Sequence, residues 1–138
     1  MIKVLCAIDD TEHSLPAARL AAKLAGALGA ELTLLAVNQM IGGYSSADAS
    51  KLLWTGVEAQ RVLDAAAEEA RKAGATQVAT ASVNSRDPAV AITQFAETNG
   101  FDHIVVGSGG KGLAFRMVLG SVSRDVVQRA HCAVTVAR

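Results

Sequence analysis

Five short apolar runs, separated by four stretches of helical periodicity, leave this chain few folds to choose from. The first run, Ile2 to Ile8, is continuously apolar and ends at Asp9-Asp10, as expected of a strand buried on both faces. Ser14 then stands as a helix cap with Pro16 in the first turn. Ala17, Leu20, Ala21, Leu24 and Leu28 repeat at helical spacing up to Gly29. Glu31 to Val37 reads as the second strand and Asn38 to Ser50 as a loop. A longer helix follows, with Leu52, Ala59, Leu63, Ala66 and Ala70 as its apolar stripe and Gly74 as its stop. Gln77 to Val83 carries the weakest strand pattern. Asp87-Pro88 opens a third helix holding Ile92, Phe95 and Ala96 and closed by Gly100. Asp102 to Val106 is a fourth strand. Gly120 to Ala130 is a final helix carrying Val122, Val126 and Val127, and Cys132 to Ala137 is a fifth strand.

Strands that alternate with helices in this way build a parallel sheet, because each crossover must lay a helix over one face. The expectation is a doubly wound α/β fold forming a single domain over residues 1–138. In such folds ligands sit outside the carboxyl ends of the strands, where the winding reverses. The loops after the first and fourth strands are therefore the places to search for a site.

Composition removes several function classes. Thirteen basic residues balance thirteen acidic ones, so the broad positive field that non-specific nucleic-acid binding needs is missing. The uncharged run from Leu32 to Ala47 contains Asn38, Gln39, glycines and serines, and is too polar to span a bilayer. The amino-terminal residues lack a secretory pattern, so a cytoplasmic location is the expectation. Cys6 and Cys132 lie in apolar runs without metal-ligand spacing and are expected as buried, reduced thiols.

The loop after the fourth strand reads GSGGKGLAFRMVLGS, with five glycines and two cations in fifteen residues. Gly107-x-Gly109-x-x-Gly112 matches the dinucleotide fingerprint as a string, but that fingerprint belongs on a first strand and needs an acidic residue after a second. A Walker loop fails because Val105 occupies the place of its first glycine. Ser108-Gly109-Gly110 echoes the start of an adenylating pyrophosphatase loop, yet Gly112 and Leu113 stand where an aspartate and a serine should complete it. A third spacing is met without adjustment: Gly107, two residues, Gly110, nine residues, Gly120-Ser121. Gly107 and Gly110 would let the backbone pass close beneath a phosphate. Gly120 and Ser121 would open a helix whose free N–H groups favour an anion.

At these residues the sequence closely resembles the universal stress protein family, and specifically its ATP-binding branch. AIDDTEHSLPAARLAAKLA, SRDPAVAITQFAETNGFDHIVVGS and GSVSRDVVQRAHCAVTVAR carry the resemblance over the rest of the chain. The resemblance implies strand order 3-2-1-4-5 and a site in which Ala7 and Asp9 border the adenosine and Val37 packs on the adenine. It further implies phosphate donors from Ser121, Val122 and Ser123, beside Gly107, Gly110 and Gly120. ATP is the implied ligand, with AMP or ADP as alternatives and Mg or Mn held through the phosphates. No residue is expected to act as a catalyst or as a direct metal ligand.

A homodimer paired through the fifth strand and an unidentified protein partner complete the implied picture, that of a nucleotide-dependent regulator or sensor in stress response. A slow ATPase or adenylyl-transferring enzyme and a nucleotide-free interaction module remain as alternatives. Lys111 and Arg116 are open between neutralising phosphate and solvating a loop; His13, His103 and His131 read as structural. The chain departs from the family at Asp10 and Thr11, in place of Gly-Ser, and at Arg86, Gly109 and Ala133.

Overall fold

A computed structural model of the chain describes residues 1–9, 14–41, 51–109 and 119–138. Five strands alternate with four helices: β1 (Lys3–Ile8), α1 (Ser14–Leu28), β2 (Glu31–Gln39), α2 (Gly56–Lys72), β3 (Val78–Ser85), α3 (Pro88–Thr98), β4 (His103–Gly107), α4 (Ser121–Arg129) and β5 (Ala133–Ala137). All neighbouring strands pair in parallel, in the order β3-β2-β1-β4-β5. This is the expected doubly wound arrangement, with β1 at the centre where the winding reverses.

Each face of the sheet has its own core. Val4, Cys6, Ile8, Leu32, Leu34 and Ala36 point to the face covered by α1 and α2. Leu5, Leu35, Ile104 and Val106 point to the opposite face with Ala89, Ile92 and Ala96 of α3 and Val126 of α4. The alternation along β1 follows from the two-residue period of a strand. Among the described residues, no helix is long and apolar enough to cross a membrane.

Several expectations are corrected. In α1 the buried face is made of Ala17, Ala18, Ala21, Ala22 and Ala25; Leu20 and Leu24 are only partly buried and Leu28 is exposed. Small side chains let α1 lie close to both the sheet and the alanine-rich face of α2, so leucines are left for the margin. Leu52 lies outside α2. Thr55 caps that helix, its hydroxyl accepting from Glu58 N while the Glu58 carboxylate accepts from Thr55 N. Leu52 instead forms an antiparallel bridge with Met40.

The second strand also runs on to Gln39 rather than stopping at Val37, and the third to Ser85, because the two stay paired as far as Gln39 and Ser85. In α4 only Val126 of the three valines is buried; the helix lies on the sheet by a narrow stripe that leaves Val122 and Val127 outside it. Asp87 caps α3 through its carboxylate and Val90 N at 3.2 Å, with Pro88 at the first helical position, as expected. Cys6 is fully buried, and burial pushes its thiol well above the ordinary range. Cys132 is only half-buried; desolvation first, and then the charge of Asp102, raise its thiol pKa as well.

Candidate functional site

The carboxyl ends of the strands form a stepped edge. β1 stops at Ile8 opposite Ala36, while Val37, Asn38 and Gln39 continue along β3. On the other side β4 continues to Gly107, paired with Ala137 of β5. The crevice of an open parallel sheet lies above the short central strand. Ala7 and Val37 flank it on the α3 and α4 face, both packed against that core yet only half-buried. A half-buried apolar residue at this end of an otherwise buried strand offers a flat apolar wall to a ligand.

Asp9 follows β1 and is held by Ser14. Its N–H donates to Ser14 Oγ at 2.7 Å, and the same hydroxyl donates to Asp9 Oδ1 at 2.7 Å. Ser14 was expected as a cap. It is instead the first helical residue, and its buried hydroxyl is consumed in fixing the acidic turn. The backbone at Asp9 is thereby oriented at the edge of the crevice while the residue itself stays exposed.

Ser108 is the hub on the β4 side. Its N–H donates to Ala137 O at 2.9 Å, and its carbonyl accepts from Gly120 N at 2.8 Å and from Ser123 Oγ at 3.0 Å. Its own hydroxyl is buried and has no hydrogen-bond partner among the described residues. Gly109 takes φ +68°, a left-handed turn open to glycine at little cost. The chain then returns at Gly120 so close that a Cβ there would sit 3.0 Å from Gly109 C, Gly109 O and Ser108 O. A side chain at 120 would therefore force this backbone crossing to give by a few tenths of an ångström, whatever a ligand requires in addition.

This crossing delivers α4 with a bare N-terminus. Gly120 is the N-cap, makes no side-chain cap bond, and the first turn carries no acidic residue. With no side-chain cap among the described residues, the first N–H groups of Ser121, Val122 and Ser123 present the partial positive charge of the helix end. Ser121 and Val122 are exposed. Ser123 is buried, its hydroxyl lying 3.0 Å from both Ser108 O and Gly120 O, so it ties the helix start to the hub.

Of the expected site residues, Ala7, Asp9, Val37, Gly107, Gly120, Ser121, Val122 and Ser123 all gather at the carboxyl end of the sheet. Gly110 lies outside the described residues, as do Asp10, Thr11, His13, Lys111 and Arg116. His103 shares a 2.7 Å hydrogen bond with Thr135 Oγ1 between β4 and β5, a structural use. Sequence reasoning missed Ser108, whose importance lies in its main chain, and Asn38, a buried amide at the end of β2. The signal available for Asn38 was a polar residue directly following an apolar strand.

A model of the universal stress protein family matches residues 1–138. The chain belongs to this family. A curated universal stress protein of Methanocaldococcus jannaschii is 45% identical over 51 residues, a match spanning 37% of this chain and 30% of that protein. Among solved structures, a universal stress protein in complex with cAMP is 25% identical with a TM-score of 0.77, over 99% of this chain and 96% of that one. The UspA universal stress protein of Lactobacillus plantarum, also 25% identical, aligns with a TM-score of 0.71 over 99% and 97% of the two chains. A universal stress protein from Archaeoglobus fulgidus shares the fold at 23% identity, with a TM-score of 0.77 over 100% of this chain and 94% of that one.

Proposed function

We propose that this universal stress protein binds ATP in the crevice above β1 and acts as a homodimeric, nucleotide-dependent regulator. The observation that carries the reading is the bare N-terminus of α4, held at the crevice by the Gly120 and Ser108 crossing and opposite an apolar wall of Ala7 and Val37. Triphosphate and adenine need these two surfaces: uncapped N–H groups at one end and a flat apolar face at the other. The family spacing of Gly107, Gly110, Gly120 and Ser121, and a cAMP complex in a relative of the same fold, favour an adenine nucleotide over other anions. Mg or Mn would enter with the phosphates, and Asp9 would face the adenosine.

In this reading ATP alters the surface around the carboxyl ends of β1 and β4, and a protein partner reads that surface. Dimerisation would use β5, an edge strand by topology, where a second copy can extend the sheet. The test is to denature freshly purified protein, identify released small molecules by mass spectrometry, and then incubate the protein with Mg-ATP. Bound or bindable ATP without turnover supports the regulator. Many turnovers per minute would replace it with an enzyme, and the lack of any nucleotide affinity would replace it with an interaction module.

A further inference from the structure

Asn38 lies at the end of β2, one residue beyond Val37, and is buried on the opposite face of the strand. Its amide grips the backbone of a single residue on both sides of its Cα: Nδ2 donates to Trp54 O at 2.8 Å, and Oδ1 accepts from Trp54 N at 2.9 Å. A primary amide bonded in this way replaces a neighbouring strand. The chain leaving β2 comes back alongside it, with Ile41 N donating to Lys51 O and Leu53 N to Gln39 O. Trp54 itself is buried in the core shared by α1 and α2, and Thr55 immediately caps α2. The grip of Asn38 therefore joins three things: the end of β2, the returning segment, and the start of a helix.

The part of β2 that Asn38 fixes is the step above β1. Val37 has no β1 partner, since the pairing of the two strands ends at Ile8 and Ala36. On the side away from β3, the position of Val37 depends on the strand being held straight by its continuation. Leu53 N on Gln39 O, Ile41 N on Lys51 O and the Asn38 clasp supply that hold. We propose that Asn38 is a positioning residue for the base end of the nucleotide: by clasping the backbone N–H and carbonyl of Trp54 it sets the wall formed by Val37, and so governs affinity for adenine while leaving the phosphate end untouched. This rests on the nucleotide reading above.

The clasp is chemically exacting. Trp54 presents one N–H and one carbonyl, so only a group with an acceptor and a donor at amide spacing satisfies both. Asn38→Asp keeps the shape and the acceptor but sets a carboxylate oxygen against Trp54 O, leaving a buried carbonyl unpaired. Trp54 is the chain's only tryptophan, and its emission reports on the clasp without labelling.

The experiment titrates the full chain and Asn38→Asp with Mg-ATP and, separately, with magnesium tripolyphosphate, following heat release and Trp54 emission. The expected result is ATP affinity lowered at least about fivefold in the variant, with tripolyphosphate affinity held within about twofold. In the unaltered chain, ATP should move the Trp54 emission and tripolyphosphate should not. Equal losses for both ligands, or no loss for either, would overturn the proposal. If Asn38→Asp does not fold, the unaltered chain decides: emission indifferent to bound ATP refutes the coupling, and emission that follows ATP alone sustains it. A chain that binds no ATP at all refutes the nucleotide reading and this inference together. Equal ATP binding by both proteins refutes only the inference.

Discussion

Gly120→Ala is the substitution whose outcome the structure defines most sharply. The N-cap has φ −63° and ψ 161°, a conformation any residue adopts, so the backbone angles raise no objection to alanine. The added methyl does, since it would meet Gly109 C, Gly109 O and Ser108 O at 3.0 Å, and all three are main-chain atoms. Such contacts are tighter than a methyl group normally makes, so the crossing must open by a few tenths of an ångström. Ser108 resists, held by Ala137 O at 2.9 Å, Gly120 N at 2.8 Å and Ser123 Oγ at 3.0 Å. Overpacking of this kind costs about 1–3 kcal/mol, and losing the Gly120 to Ser108 bond adds about 1 kcal/mol.

The same displacement moves the N–H groups of Ser121 and Val122 off the phosphates. Hydrogen bonds to charged groups are worth about 1.5–3 kcal/mol, which corresponds to roughly tenfold to a hundredfold in affinity. Differential scanning calorimetry should show the loss of stability. Titration with Mg-ATP should show the weakening, while adenosine, which lacks phosphates, should bind as before. A variant with unchanged melting temperature and unchanged ATP affinity would refute the crossing as the device that presents α4.

Gly26→Ala should do the opposite. The site is exposed in the last turn of α1 and nothing lies within 4 Å of a new Cβ, so a gain of up to about 0.5–1 kcal/mol is expected and is read from a denaturant midpoint. Cys6 makes stability depend on alkaline pH. Its folded thiol titrates far above the ordinary 9.0, so the native state keeps a proton that the unfolded chain releases. The contribution is fully present below pH 9 and lost at up to about 1.4 kcal/mol per pH unit above it. Cys6→Ala should flatten that slope relative to the unaltered chain in urea titrations at pH 8 and pH 10. Light scattering of the eluted protein should return twice the 14.2 kDa of one chain if β5 pairs with a second copy, and a single-chain mass would dismiss that interface.

Much of the fold was legible because its strands are punctuated. Asp9 after Ile8, Gly29 after Leu28 and Asp87-Pro88 before α3 are local signals that survive folding. Leu52 was misplaced because a lone leucine fits a helical period, and nothing local announces that it will bridge to Met40. The candidate site was readable to the extent that glycine spacing records main-chain approach. The roles of Ser14, Ser108 and Asn38 were not, since each acts through hydrogen bonds to residues distant in sequence or to backbone atoms.

The most direct measurement is an amide NMR titration of the unaltered chain with Mg-ATP. The account predicts the largest shifts at the N–H groups of Ser121, Val122 and Ser123, accompanied by Ala7 and Val37 across the crevice. Saturating ATP that leaves those five amides still, or that moves instead the opposite end of the sheet around Gly29 and Gln77, would contradict it.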